Sequence, residues 1–208
     1  MAEFNSYLLG KARKSVGNIT LCYTKGKNIA KAKVFSRKDN PTPEILAQRA
    51  RMKALVQLGR SLLPVIRKGF TGIGKGSTSN AFVAANQEAI SVDAKNVATV
   101  EFERLRVATG LFTPPKVTVT YSEETSKYLF EQEEQEEEDG YASADDKVYG
   151  VLYETERERA RLVELRARGE SGSTSYVLPE DWNNTKVKVY CFATLKNGKG
   201  ASDSLLIL

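Results

Sequence analysis

An α+β fold, with a hairpin and helices ahead of an all-β half, is what three features of this 208-residue sequence predict. One stretch, Asn40 to Phe70, has a clear helical period. Before it, Lys14 to Phe35 reads as two strands around a turn. After the diproline Thr113-Pro114-Pro115 the period changes to two, and seven short candidate strands follow.

The helical stretch repeats Ile45, Met52, Leu55, Val56, Leu62, Leu63 and Ile66 at steps that place them on one face. Arg49, Lys53, Arg60 and Arg67 form a basic stripe beside that face, within about 40° of each other on an ideal wheel. Thr42 suits the cap, Pro43 the first helical position and Glu44 the positive end of the dipole, while Lys68-Gly69 marks the stop. Pro64 has no N–H to offer the Arg60 carbonyl, so the helix is expected to kink or break between Gly59 and Pro64.

In the hairpin, Val16, Ile19, Leu21 and Tyr23 lead into the turn Lys25-Gly26-Lys27-Asn28, and Ile29 to Phe35 returns. Lys31 and Lys33 share one face of the return strand, and Lys25, Lys27, Lys31 and Lys33 together with the helix stripe are the candidate interaction residues. A two-stranded hairpin is marginal alone, so it needs a surface to pack on or another chain to pair with. The leader Met1 to Lys14 is expected to be mobile and polar.

Gly69 to Ser77, GFTGIGKGS, satisfies the spacing G-x-x-x-x-G-K, but Gly76 stands where a phosphate loop needs Ser or Thr, and the segment follows a helix. It reads as a flexible link to a second helix, Asn80 to Ile90, capped by Thr78 or Ser79. Phe82, Val83, Ala85 and Ala89 are expected to lie against the first helix. Asn96 to Val107 is expected as a strand, with Glu101 and Glu103 on one face. The diproline marks the expected boundary between residues 1–113 and 116–208.

The candidate strands of the second half are Lys116 to Tyr121, Tyr128 to Glu131, Lys147 to Tyr153, Arg161 to Ala167, Ser175 to Leu178, Lys186 to Leu195 and Ser202 to Leu208. Seven short strands with regular turns predict an immunoglobulin-like or fibronectin-like β-sandwich. Val187, Val189, Cys191, Ala193 and Leu195 face one way, and Asn197-Gly198 is a hairpin turn. Trp182 is read as a core or corner residue. The run Glu131 to Asp139, EQEEQEEED, lacks the spacing of a calcium loop and reads as a solvated loop.

Composition narrows the chemistry. The sequence contains no histidine, which removes the commonest general base and the usual zinc and iron ligand sets. Neither an enzyme nor a cofactor is expected. Cys22 and Cys191 are read as buried thiols of a reducing cytoplasm, with a disulfide as the alternative. No apolar run of about 18 residues and no signal peptide is seen, so no membrane partner is expected. Residues 1–110 hold 19 Lys/Arg against 7 Asp/Glu, net +12, and residues 111–208 hold 12 against 19, net −7. Such asymmetry points to nucleic acid, an acidic partner or head-to-tail contact between copies.

NPTPEILAQRARM, followed by a helix and IRKGF, resembles the Asn-Pro-x-Thr/Pro-x-x-x-x-Gln-Arg pattern of an uncharacterised family found in gut bacteria of the Bacteroides group and in their tailed phages. KSVGNITLCYTKGKNIAKAK is similar to that family's amino-terminal hairpin, TSNAFVAANQEAI to its second helix, VATGLFTPP to its pre-linker strand and VLPEDWNNTKVKVYCFATLKNGKGASDSLLIL to its closing strands. The resemblance spans nearly the whole chain. It implies a phage or prophage protein and names no activity. Taken with the absence of catalytic chemistry, the expected role is a structural part of a virion, in the head, a portal or head–tail ring, or the tail, made in the host bacterial cytoplasm. Its partners would be other virion proteins and further copies of itself in a homo-oligomer or ring. The alternative is a DNA-associating basic protein, packaged or host-encoded, with non-specific contact to DNA.

Overall fold

The hairpin expected between Lys14 and Phe35 forms, and it is the middle of a larger sheet. The computed structural model describes residues 1–36, 39–73, 76–138 and 140–208, which divide into two units, Met1–Thr42 and Pro43–Leu208. The first unit is an antiparallel sheet of β1 (Ala2–Phe4), β2 (Lys14–Val16), β3 (Ile19–Thr24) and β4 (Lys27–Ala32), in spatial order β1-β4-β3-β2. The leader, expected to be mobile and polar, therefore begins as a strand that covers the free edge of β4. Its return loop is held by Asn28, whose Oδ1 accepts the Ala12 N–H at 3.1 Å and whose Nδ2 donates to the Gly10 carbonyl at 2.8 Å. Ala12 and Asn28 are the two buried residues of this unit among those described.

The second unit opens with α1 (Pro43–Ser61) and α2 (Leu63–Gly69), and the break between them falls where Pro64 requires it. Only part of the expected face is buried: Leu55, Leu62 and Ile66 of it turn inward. Leu55, Leu58, Leu62, Val65, Ile66 and Phe70 are buried, whereas Ile45, Met52 and Val56 remain exposed. The exposed three lie about 60–100° around the wheel from Leu55, so the apolar residues of α1 form two adjacent stripes, of which one is buried. α3 (Thr78–Ala85) is capped by Ser77, whose Oγ accepts the Asn80 N–H at 3.2 Å. It approaches α1 closely at Gly59, where a Cβ would stand 3.3 Å from Phe82 Cδ1. Phe82 in turn meets Phe70 edge-on, with ring centroids 5.7 Å apart.

A short hairpin, β5 (Ile90–Val92) and β6 (Ala98–Val100), follows. The strand expected over Asn96 to Val107 pairs only at β6; beyond it the chain turns, and Glu101 bonds Arg104 at 3.3 Å instead of lining a strand face. The seven later strands all form: β7 (Val117–Ser122), β8 (Lys127–Gln132), β9 (Lys147–Glu154), β10 (Arg159–Ala167), β11 (Gly172–Val177), β12 (Val187–Thr194) and β13 (Leu205–Leu206). They make two antiparallel sheets, β11-β8-β7 and β10-β9-β12-β13.

The four-stranded sheet is buried on both faces. Val119, Tyr128 and Phe130 of the smaller sheet pack on Leu152, Val163, Val189 and Cys191, with Trp182 closing the same core. Gly150 makes room for this: a Cβ there would stand 2.5 Å from Phe130 Cε1. On the opposite face Tyr149, Val151, Tyr153, Tyr190 and Phe192 pack on Leu58, Leu62, Val65, Ile66, Phe70 and Phe82. The boundary expected at Thr113–Lys116 therefore falls inside one unit, whose core draws residues from both sides of the diproline. The prolines end a ladder locally but do not thin the contacts that cross them. Both cysteines are free; burial pushes the Cys191 thiol up to about 12, and Cys22 is half-buried.

Residues 116–208 expressed alone should fail to give a cooperative fold, because five side chains of the helix-facing surface become exposed. Each is worth about 1.5–3 kcal/mol, together comparable with a whole domain's net stability of about 5–15 kcal/mol. Residues 43–208 should unfold in one sharp urea transition; a sharp transition in the shorter fragment would restore the diproline boundary.

Alkaline pH should unmake this core. Burial raises Tyr128 and Tyr153 to about 12, with the Tyr121 charge adding to the first and Glu158 and Glu154 to the second. Burial also raises Tyr190, whose hydroxyl donates to the Phe102 carbonyl at 2.8 Å. The folded chain holds these protons where the unfolded chain releases them. This stabilisation is complete below about pH 10 and is lost as pH rises through about 12. Urea midpoints measured from pH 9 to 12 should fall across that window, and a flat profile would contradict the burial.

Candidate functional site

The basic residues singled out by the sequence divide among three places. Lys25 occupies the β3–β4 turn with φ of 49°, and Lys27 pairs with Glu3 of β1 at 3.0 Å. Lys31 is exposed on the same face as Lys27, and Lys33, past the strand end, sits 5.3 Å from the Phe35 ring centroid. On α1, Arg49, Lys53 and Arg60 are exposed, the last two flanking Met52, Val56 and Gln57 in a shallow groove of about 400 Å³. Arg67 is separated from them by the helix break. It lines a different cleft, with Lys68, Lys147 and Lys196.

The acidic run is solvated as expected: Glu131, Glu133, Glu134, Glu136, Glu137 and Glu138 are exposed, and Asp139 lies outside the described residues. Its two glutamines turn inward, and Gln135 meets the one buried ion pair among the described residues. Arg168 Nε donates to Asp146 Oδ2 at 3.1 Å, with side chains 0% and 1% exposed. Arg168 Nη1 donates to Gln135 Oε1 at 3.0 Å and Nη2 to the Thr113 carbonyl at 2.7 Å. Gln135 Oε1 also accepts the Lys116 N–H at 3.2 Å, and Gln132 Nε2 donates to the Ala167 carbonyl at 2.7 Å. One guanidinium thus joins the diproline segment, the acidic loop and the β9–β10 hairpin. The sequence held one clue to this, since Gln132 and Gln135 are the uncharged positions of the run; nothing local marked Arg168 or Asp146.

Gly74 and Lys75 of the G-x-x-x-x-G-K spacing lie outside the described residues. Among the described residues no group of three or more acidic, cysteine or histidine side chains is placed to hold a metal, and no helix is long and apolar enough to cross a membrane.

The Family of unknown function (DUF6266) matches residues 10–207. The chain belongs to this family. The match takes in β2, β3 and β4 of the basic sheet, the helices and β5 to β13, while β1 lies ahead of its first residue, so DUF6266 spans both units. No curated protein and no solved structure matches the chain.

Arg168→Ala should destabilise the chain by about 3–5 kcal/mol, because it leaves the Asp146 carboxylate buried and unpaired. Replacing both, Arg168→Met with Asp146→Leu, should recover part of that loss. Urea denaturation of the three chains measures this, and a single-variant cost under about 1 kcal/mol would mean the pair does not hold the loop.

Proposed function

We propose that the chain is a non-enzymatic structural component of a tailed-phage particle, acting through protein–protein contacts between several copies. The observation that supports an assembly role is the first unit: a folded four-stranded sheet with almost no interior. Val16, Ile19, Val34 and Phe35 are 71%, 49%, 65% and 71% exposed, and the sheet's own buried residues are Ala12 and Asn28. Sheets of this size need an apolar face covered to be stable. The phage setting, and with it the head, portal or tail as location and other virion proteins as partners, rests on the resemblance of the hairpin, helix and closing-strand motifs.

The occupant of that face is read as a second copy of this chain. Residues 1–42 hold 9 Lys/Arg against 2 Asp/Glu, net +7, while residues 131–138 present six exposed glutamates. Exposed ion pairs contribute only about 0–1 kcal/mol each, so charge sets encounter and register. Affinity comes from the apolar residues, at about 1.5–3 kcal/mol for each large side chain fully covered. Contacts of this head-to-tail kind close into rings where the rotation permits.

We also read residues 116–208 as a sandwich of immunoglobulin or fibronectin type. In support, the first, second and fifth of its strands form one sheet, and the third, fourth, sixth and seventh the other. Strand edges of such a sandwich are available for contact in an assembly.

The test is the mass of the purified chain in solution at two salt concentrations, against Val16→Ser with Ile19→Ser and Phe35→Ser. We expect an oligomer that weakens at high salt and a variant that is monomeric with its strand content intact. A monomeric wild type, or a variant that assembles normally, would overturn the reading. Tight duplex DNA binding by the wild type with a steep salt slope would favour the DNA-associating alternative.

A further inference from the structure

Arg67, Lys68, Lys147 and Lys196 converge on one cleft of about 260 Å³ from three distant parts of the chain. α2 supplies the first two, the start of β9 the third and the turn after β12 the fourth; Thr71, Thr194 and Asn197 complete its polar lining. Lys68 is held in position. Its Nζ stands 4.6 Å from the Tyr149 ring centroid and donates to the Tyr149 hydroxyl at 3.0 Å. Tyr149 is itself buried, 5.4 Å from Phe192 between ring centroids, so the ammonium rests on a rigid platform.

Four cations line the cleft, and its lining includes no carboxylate among the described residues. Lys196 pairs with Asp145 at 3.0 Å, and Arg67 and Lys147 make no ion pair among the described residues. Gathering unpaired cations around a concave site raises their mutual repulsion and focuses a positive potential that a multivalent anion relieves. The volume is below that of a usual small-molecule pocket, about 300–1,000 Å³, and suits one compact oxyanion group. A terminal phosphoryl group offers three acceptor oxygens, enough for a guanidinium fork and two ammonium groups at once; one nucleic-acid phosphodiester offers two, with further phosphates on either side, and a carboxylate offers two with none.

We propose that this cleft binds a phosphoryl group, presented either by a free phosphate compound or by the phosphodiester backbone of nucleic acid. The assignment is independent of the assembly reading, since it concerns residues of α2, β9 and the β12 turn, not the amino-terminal sheet. Lys68 supplies a pre-placed charge, Arg67 a bidentate fork, and Lys147 and Lys196 the opposite wall. Asp145 competes with the ligand for Lys196.

Calorimetric titration of the full chain with inorganic pyrophosphate at low salt tests this. Wild type is compared with Arg67→Gln plus Lys147→Gln, with Asp145→Asn, and with a charge-matched control outside the cleft, Lys127→Gln plus Arg161→Gln. We expect saturable one-site binding, weakened about tenfold or more in the cleft variant and within about twofold in the control. Asp145→Asn should tighten binding about threefold, a gain that damaged folding cannot mimic. Competition with a short DNA duplex then assigns the source. Displacement of pyrophosphate by duplex, with duplex binding also weakened in the cleft variant, identifies the phosphodiester; failure to displace identifies a small phosphate compound. Absence of saturable pyrophosphate binding, or equal loss in the control, overturns the proposal.

Discussion

Burial of one antiparallel sheet on both faces is the constraint from which the rest of the second unit follows. β9 and β12 lie at its centre, and their side chains alternate between two cores: Tyr149, Val151, Tyr153, Tyr190 and Phe192 toward the helices, Leu152, Val189 and Cys191 toward the smaller sheet. A strand covered on both sides has no polar face to give to solvent, and VYGVLY and VYCFA accordingly contain no charged residue. The helices cannot be removed without exposing one core, nor the smaller sheet without exposing the other. This is why a diproline in the connecting segment does not separate two domains.

Polar interactions are arranged around this frame, not within it. The Arg168–Asp146 pair sits beside the β9–β10 hairpin and gathers the diproline segment and acidic loop with its remaining donors. A buried pair contributes little net stability compared with an apolar substitute, but its geometry is demanding. Its effect here is to fix where a strongly charged loop leaves the sheet. The glutamates stay in water while two glutamines anchor them, so the loop presents negative charge from a defined position.

The first unit is governed by the opposite condition. Its four short strands satisfy their backbone hydrogen bonds through β1-β4-β3-β2 pairing, yet bury almost no side chain. Hydrogen bonding gives such a sheet its shape; apolar burial has to come from elsewhere. Assembly with a second copy supplies that burial in the function proposed here.

Locally decided features were legible in the sequence by itself. The break at Pro64, the Lys25-Gly26 and Asn197-Gly198 turns, the seven later strands and the two faces of β12 all rest on sterics or period within a few residues. The exposed acidic run was legible for the same reason; the candidate cations were legible as exposed charges and not as one site. Tertiary structure alone decided which helix face is buried, because Leu55 and Val56 begin equally apolar stripes and only the position of α3 and the sheet selects between them. It also decided that Arg67 parts from Arg60 and joins Lys147 and Lys196. The pairing of β9 with β12 sets Lys147 against Thr194 beside the turn, and α2 beyond the break brings Arg67 and Lys68 to the same place. Cations so far apart in the chain share no period, so their meeting depends on sheet register and helix placement, which no local pattern encodes.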